Sequence, residues 1–186
     1  MNARTLLLAA LALGCAERND KSAHGRSEAV SSASRGMSGP SLFSRERLAP
    51  ALTALGVEPS SKLLRLEIHA RELIVQAEDT TNPGSVLERH FRDGKAAEVE
   101  HATLRGKGAL SDNLFRLSDV NLDAIPELTR LAVQRIDAES GSADSVLVRR
   151  NLPETDDVRL RVFVVSPRQS DYLEADRGGQ PLPPTR

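Results

Sequence analysis

Tryptophan is absent, and aromatic residues make up only 3 % of the 186-residue chain, four Phe and one Tyr. A surface that stacks bases or sugars needs more rings than that. A single cysteine, Cys15, excludes an intramolecular disulfide and any zinc cluster built on cysteines. Neither sign of charge is in surplus: 25 Lys and Arg stand against 26 Asp and Glu, a net charge of −1. A nucleic-acid binder carries a basic excess, so no nucleic acid is expected as a partner. No apolar run approaches the roughly 20 residues that span a bilayer as a helix. With 39 % hydrophobic and 27 % charged residues, the composition suits a globular protein.

The N-terminus supplies the first positive signal. Arg4 is the only charge in Met1–Thr5, and Leu6–Leu13 (LLLAALAL) is uninterrupted and apolar. A basic start, a short apolar stretch and small residues before a cut point read as a secretory signal. The stretch ends in Ala12-Leu13-Gly14-Cys15, with Ala16 next. These residues resemble the lipobox of bacterial lipoproteins, in which the Cys thiolate takes a diacylglycerol and becomes the new N-terminus. Ala12 stands where that family favours Leu. The resemblance implies lipidation at Cys15, and Ala16 in place of Asp implies an outer-membrane anchor facing the periplasm. Two or three acyl chains hold a protein on a membrane where one does not.

Residues 16–40 are Ser-, Ala-, Gly- and charge-rich, which reads as a disordered tether with a reach of roughly 25–30 Å. Beyond it the chain looks twofold. Pro50-Ala51-Leu52-Thr53-Ala54-Leu55 matches Pro126-Glu127-Leu128-Thr129-Arg130-Leu131 at Pro, Leu, Thr and Leu. Three segments of strand character follow each: Lys62–His69, Glu72–Glu78 and Ser85–Arg92, then Ser145–Arg150, Asp157–Ser166 and Ser170–Ala175. Each set ends in a glycine turn, Arg92-Asp93-Gly94-Lys95 and Arg177-Gly178-Gly179-Gln180.

Leu48, Leu52 and Leu55 lie on one helical face, with Gly56 as a C-terminal stop. Asp123 is expected to cap the second helix, whose apolar stripe is Leu128, Leu131, Ala132 and Ile136. Alternation points Leu64, Leu66 and Ile68 inward in the first strand, and Val158, Leu160, Val162 and Val164 in the fifth. The expected fold is therefore α+β: duplicated units of a helix plus a three-stranded antiparallel meander, with the helices packed on one face of the sheet. Residues 1–14 are the signal peptide, 15–40 the lipidated Cys and tether, 41–97 the first unit, 98–122 a linker, 123–182 the second unit and 183–186 a loose tail. In the linker, Phe115 and Leu117 are expected to plug into the core.

This layout resembles tandem PepSY-like and β-lactamase-inhibitor-protein-like envelope domains, in which one sheet face stays open. It implies a binding or inhibitory role and transfers no single residue.

No catalytic pattern emerges. His69 and His90, with Glu67 or Glu88, are the nearest to a metal set, but alternating polar residues on a solvated face account for them. His24 falls in the tether, and no Ser sits in an activating motif. Arg105-Gly106-Lys107-Gly108 reads as a turn, and Glu78-Asp79 and Asp156-Asp157 as turn chemistry. No catalytic residue, metal or cofactor is assigned. Arg149, Arg159 and Arg161 are expected to share the outward sheet face with Phe163, bordered by Tyr172, a mixture enriched at interface hot spots. The expected function is a non-enzymatic envelope lipoprotein that binds a periplasmic protein, as inhibitor or assembly factor. The alternatives are a structural envelope protein contacting cell wall or outer membrane, and an enzyme with an unrecognised site.

Overall fold

Alternating apolar residues in six long segments build one antiparallel sheet, seen in a computed structural model that describes residues 41–104 and 108–184. The expected signal peptide, Cys15, the expected tether with His24, and residues 105–107 and 185–186 lie outside the described residues. In chain order the elements are α1 (Arg45–Ala54), β1 (Lys62–His69), β2 (Glu72–Glu78), β3 (Val86–Arg92), β4 (Lys95–Ala96), β5 (Glu100–His101), α2 (Leu110–Asn113), β6 (Phe115–Arg116), α3 (Ile125–Asp137), β7 (Ser142–Arg150), β8 (Val158–Val165) and β9 (Ser170–Asp176). The nine strands run in the order β4-β3-β2-β1-β7-β8-β9, with β5 beside β3 and β6 beside β1. Two meanders therefore meet edge to edge where β1 pairs with β7. Among the described residues no helix is long and apolar enough to cross a membrane.

The register writes out the core. One row crosses six strands as Arg89, Val75, Leu66, Val148, Leu160 and Ala175. The next is Phe91, Leu73, Ile68, Val146, Val162 and Leu173. Leu48, Ala51 and Leu52 of α1, and Ile125, Leu128 and Ala132 of α3, belong to the same buried cluster, so both helices cover this face. Phe115 and Leu117 join it from the segment between the meanders, where β6 extends the β1 edge at Lys62 and Leu63.

Several local expectations are corrected. Leu63, fully buried, faces the core in place of Leu64, because the register shifts between Leu63 and Arg65. Such a bulge inserts one residue and reverses the alternation on one side of it. Asp123 does not cap α3. Asn121 accepts from the Asp123 backbone N–H, and a 3-10 turn at Leu122–Ala124 leads into the helix. Asp123 instead pairs with Arg45 at 2.9 Å. The matched prolines are not equivalent, since Pro126 lies in the first turn of α3 and Pro50 inside α1. Within residues 98–122, expected to link the units, the chain forms β5, α2 and β6. The chain after β9 folds back, Pro181 bridging Ala175 and Leu182 N–H donating to Glu174 O at 2.8 Å.

Gly56 does stop α1. At φ +65° it lets its own N–H reach Thr53 O and that of Val57 reach Leu52 O, the paired bonds of a Schellman turn. Arg89, the one charge in the first core row, completes this end: its Nη1 donates to Leu55 O at 2.9 Å and Gly56 O at 3.4 Å. A cation also suits the negative end of the helix dipole. Arg89→Met keeps the stem and removes these charged bonds, so urea denaturation should show a loss of about 1.5–3 kcal/mol. An unchanged midpoint would mean that α1 ends as well without it.

Candidate functional site

Helices cover one face of the sheet, so strand parity sends the alternate residues to the other. From β3 to β9 one outward row reads His90, Ile74, Glu67, Leu147, Arg161 and Glu174. The next runs from His69 through Ser145 and Phe163 to Tyr172. Arg149 and Arg159 pair across β7 and β8 with the same parity. All five residues singled out in the sequence thus share this face.

Within it they divide into two groups. The rings of Phe163 and Tyr172 lie 5.7 Å apart, tilted by 47°, and the Arg161 Cζ sits 5.7 Å from the Tyr172 centroid. Arg161 is held by two further bonds, Nε to Glu174 Oε1 at 3.0 Å and Nη2 to Asn151 Oδ1 at 2.7 Å. Tyr172 and Val165 remain 44 % and 39 % exposed. They border a shallow depression of about 540 Å³ lined also by Arg65, Leu147 and Phe163. A cation over a ring beside exposed apolar surface is the composition of a contact hot spot. In the second group Arg159 meets Asp157 at 3.0 Å, whereas the Arg149 side chain is exposed and makes no hydrogen bond or ion pair among the described residues.

The β1–β3 half of the face carries a polar chain that sequence reasoning passed over. His90 Nε2 contacts Glu88 Oε1 at 2.9 Å and its Nδ1 contacts Glu72 Oε1 at 3.3 Å. Gln76 donates to Glu88 at 2.6 Å, and Arg92 Nη2 to both Glu72 oxygens at 2.7 Å. The Arg92 bond above all holds the Glu72 carboxyl below its ordinary range, and the Gln76 bond does the same for Glu88. The Glu88 bond, seconded by Glu72, raises His90 above the usual 6.5. Hairpin register was the signal, since it sets Glu72 against Arg92 and Gln76 against Glu88.

His69 and His90 do not share a ligand. His69 binds Glu67, which also holds Arg65, and β2 separates the two imidazoles' strands. No group of three or more His, Cys, Asp or Glu among the described residues is arranged to hold a metal ion. Asp79 is buried in a turn, accepting from the N–H and hydroxyl of Thr81 and from Ser85.

A raised histidine value stabilises the fold while the ring is protonated. That contribution is complete below pH 6.5 and is lost as pH rises through the higher folded value. The wild-type Tm should therefore fall between about pH 6 and pH 8 by more than that of His90→Gln. Parallel Tm curves for the two proteins would show that the imidazole is not coupled to folding.

No family model matches the chain, and no curated protein matches it. Among solved structures, it is similar to the crystal structure of a candidate lipoprotein from Clostridium difficile 630, at 10 % identity and a TM-score of 0.47, over 79 % of this chain and 95 % of that one.

Proposed function

We propose that this chain is a lipid-anchored protein of the bacterial cell envelope, moored through Cys15 to the outer membrane, whose uncovered sheet face holds a periplasmic protein. In this reading it is a binding protein and not an enzyme, acting as an inhibitor or assembly factor. Its two helix-plus-meander halves are read as copies of one unit. The observation that carries the proposal is the stack of Arg161, Tyr172 and Phe163 beside the depression on the face opposite the helices. The lipobox-like Ala12–Cys15 supplies the anchor, and Arg149 and Arg159 extend the contact surface.

Two experiments test the two halves of the proposal. A photo-reactive benzoylphenylalanine replacing Tyr172 in intact cells should trap one dominant protein adduct, absent when the same group replaces Arg130 on α3. No adduct, or the same adducts from both positions, overturns the partner. A clickable palmitate analogue should label the wild type and not Cys15→Ser. An unlabelled wild type, or a labelled Cys15→Ser, overturns the anchor.

A further inference from the structure

Arg149 and Arg159 stand directly opposite each other on β7 and β8. Like charges at that cross-strand spacing repel. No carboxylate bridges them: Asp176, opposite Arg159 on β9, accepts through Oδ1 from the Gly178 and Gln180 N–H groups. Asp157 reaches Arg159 from the strand's start with its own side chain 65 % exposed, and Arg149 is without an ion pair among the described residues. The Arg159 side chain is only 16 % exposed, and its Nε is buried with no acceptor among the described residues. A buried donor on a cation, left without an acceptor, is an unfavourable state that native structures rarely keep. Arg161, two residues along on the same face, is fixed by Glu174 and Asn151.

We propose that Arg149 and Arg159 form a binding site for a phosphate group. An oxyanion beside the two strands would neutralise the repulsion, taking the Arg149 guanidinium and the Arg159 Nη1, which Asp157 leaves open. Guanidinium forks match phosphate oxygens in pairs, and a phosphate monoester offers three oxygens where a carboxylate offers two, enough for the Arg149 fork and one further bond from Arg159. The phosphate comes from a lipid headgroup or from a soluble phosphate. The site rests on Arg149 and Arg159 and does not depend on a protein partner at Tyr172.

Inorganic phosphate titrated by calorimetry into the full-length chain carrying Cys15→Ser, at constant ionic strength, should bind one per chain. Arg149→Gln should weaken it about tenfold or more, and Arg149→Lys, which keeps the charge and loses the fork, should fall between. Arg130→Gln should bind as the wild type does. Heat no greater than that of chloride, unaltered affinity in Arg149→Gln, or displacement by equimolar acetate overturns the site. Sedimentation with phosphatidylcholine vesicles, with and without phosphatidic acid, separates the sources. Acid-dependent sedimentation that Arg149→Gln abolishes assigns a lipid headgroup, and phosphate binding without sedimentation assigns a soluble phosphate. Loss of the Tyr172 crosslink would leave these titrations untouched, so the two readings fail separately.

Discussion

Leu66→Ala should lower the unfolding free energy by about 3–4 kcal/mol, and the Tm by roughly 10 °C. Leu66 is fully buried between Val75 of β2 and Val148 of β7, at the join of the two meanders. Truncation deletes three carbon positions, for a transfer loss of about 2.4 kcal/mol at 0.8 per methylene. The cavity adds the rest, because strands hydrogen-bonded on both sides cannot close over it. Leu64, half-buried at the bulge, is the control: Leu64→Ala should cost only about 1 kcal/mol. Urea denaturation of both variants checks the pair. The reverse order would restore the simple alternation that points Leu64 inward.

Gly179→Ala is the second large effect. Gly179 has φ +87°, and a Cβ there would lie 2.3 Å from the Cβ of Ala124, in the turn before α3. The left-handed backbone costs a non-glycine residue about 1–2 kcal/mol. Forcing two methyl groups apart adds about 1–3 kcal/mol. The sum, about 2–5 kcal/mol, can be divided experimentally. Gly84 has φ +91° and nothing within 4 Å of a built Cβ, so Gly84→Ala should show the backbone part alone. Adding Ala124→Gly to Gly179→Ala should recover the steric part. Equal losses for Gly84→Ala and Gly179→Ala would mean that the turn moves aside and the clash costs nothing.

What could be read in the residues is what strand parity controls. The bounds of β1 and β2 follow directly from alternation, and Val158, Leu160, Val162 and Val164 are buried as alternation requires. Parity alone also brings Arg149, Arg159, Arg161 and Phe163 to one face. What was hidden depends on pairing between distant segments. Ser142–Asp144 looks like turn composition after Gly141, yet β8 pairs with it and makes it the start of β7. The Leu64 bulge exists only against β2. The site divides in the same way. The sequence shows three arginines together, but only the folded chain shows that Arg161 is held by Glu174 and Asn151 while the Arg149 side chain makes neither hydrogen bond nor ion pair among the described residues. The Glu72–His90–Glu88 chain reads in sequence as solvated charge and becomes a network through hairpin register.

The return of residues 180–182 along β9 bears on how molecules of this protein meet. An open sheet offers its outermost backbone as a template for another molecule's strand. Here Pro181, Pro183 and Pro184 border that side, and proline has no N–H to continue a ladder. On the opposite flank β4 and β5 are two-residue pieces carrying Lys95 and Glu100, too short and too charged to recruit a neighbour. With lateral growth discouraged at both margins, the folded sheet can sit crowded beside its own copies without knitting into fibres.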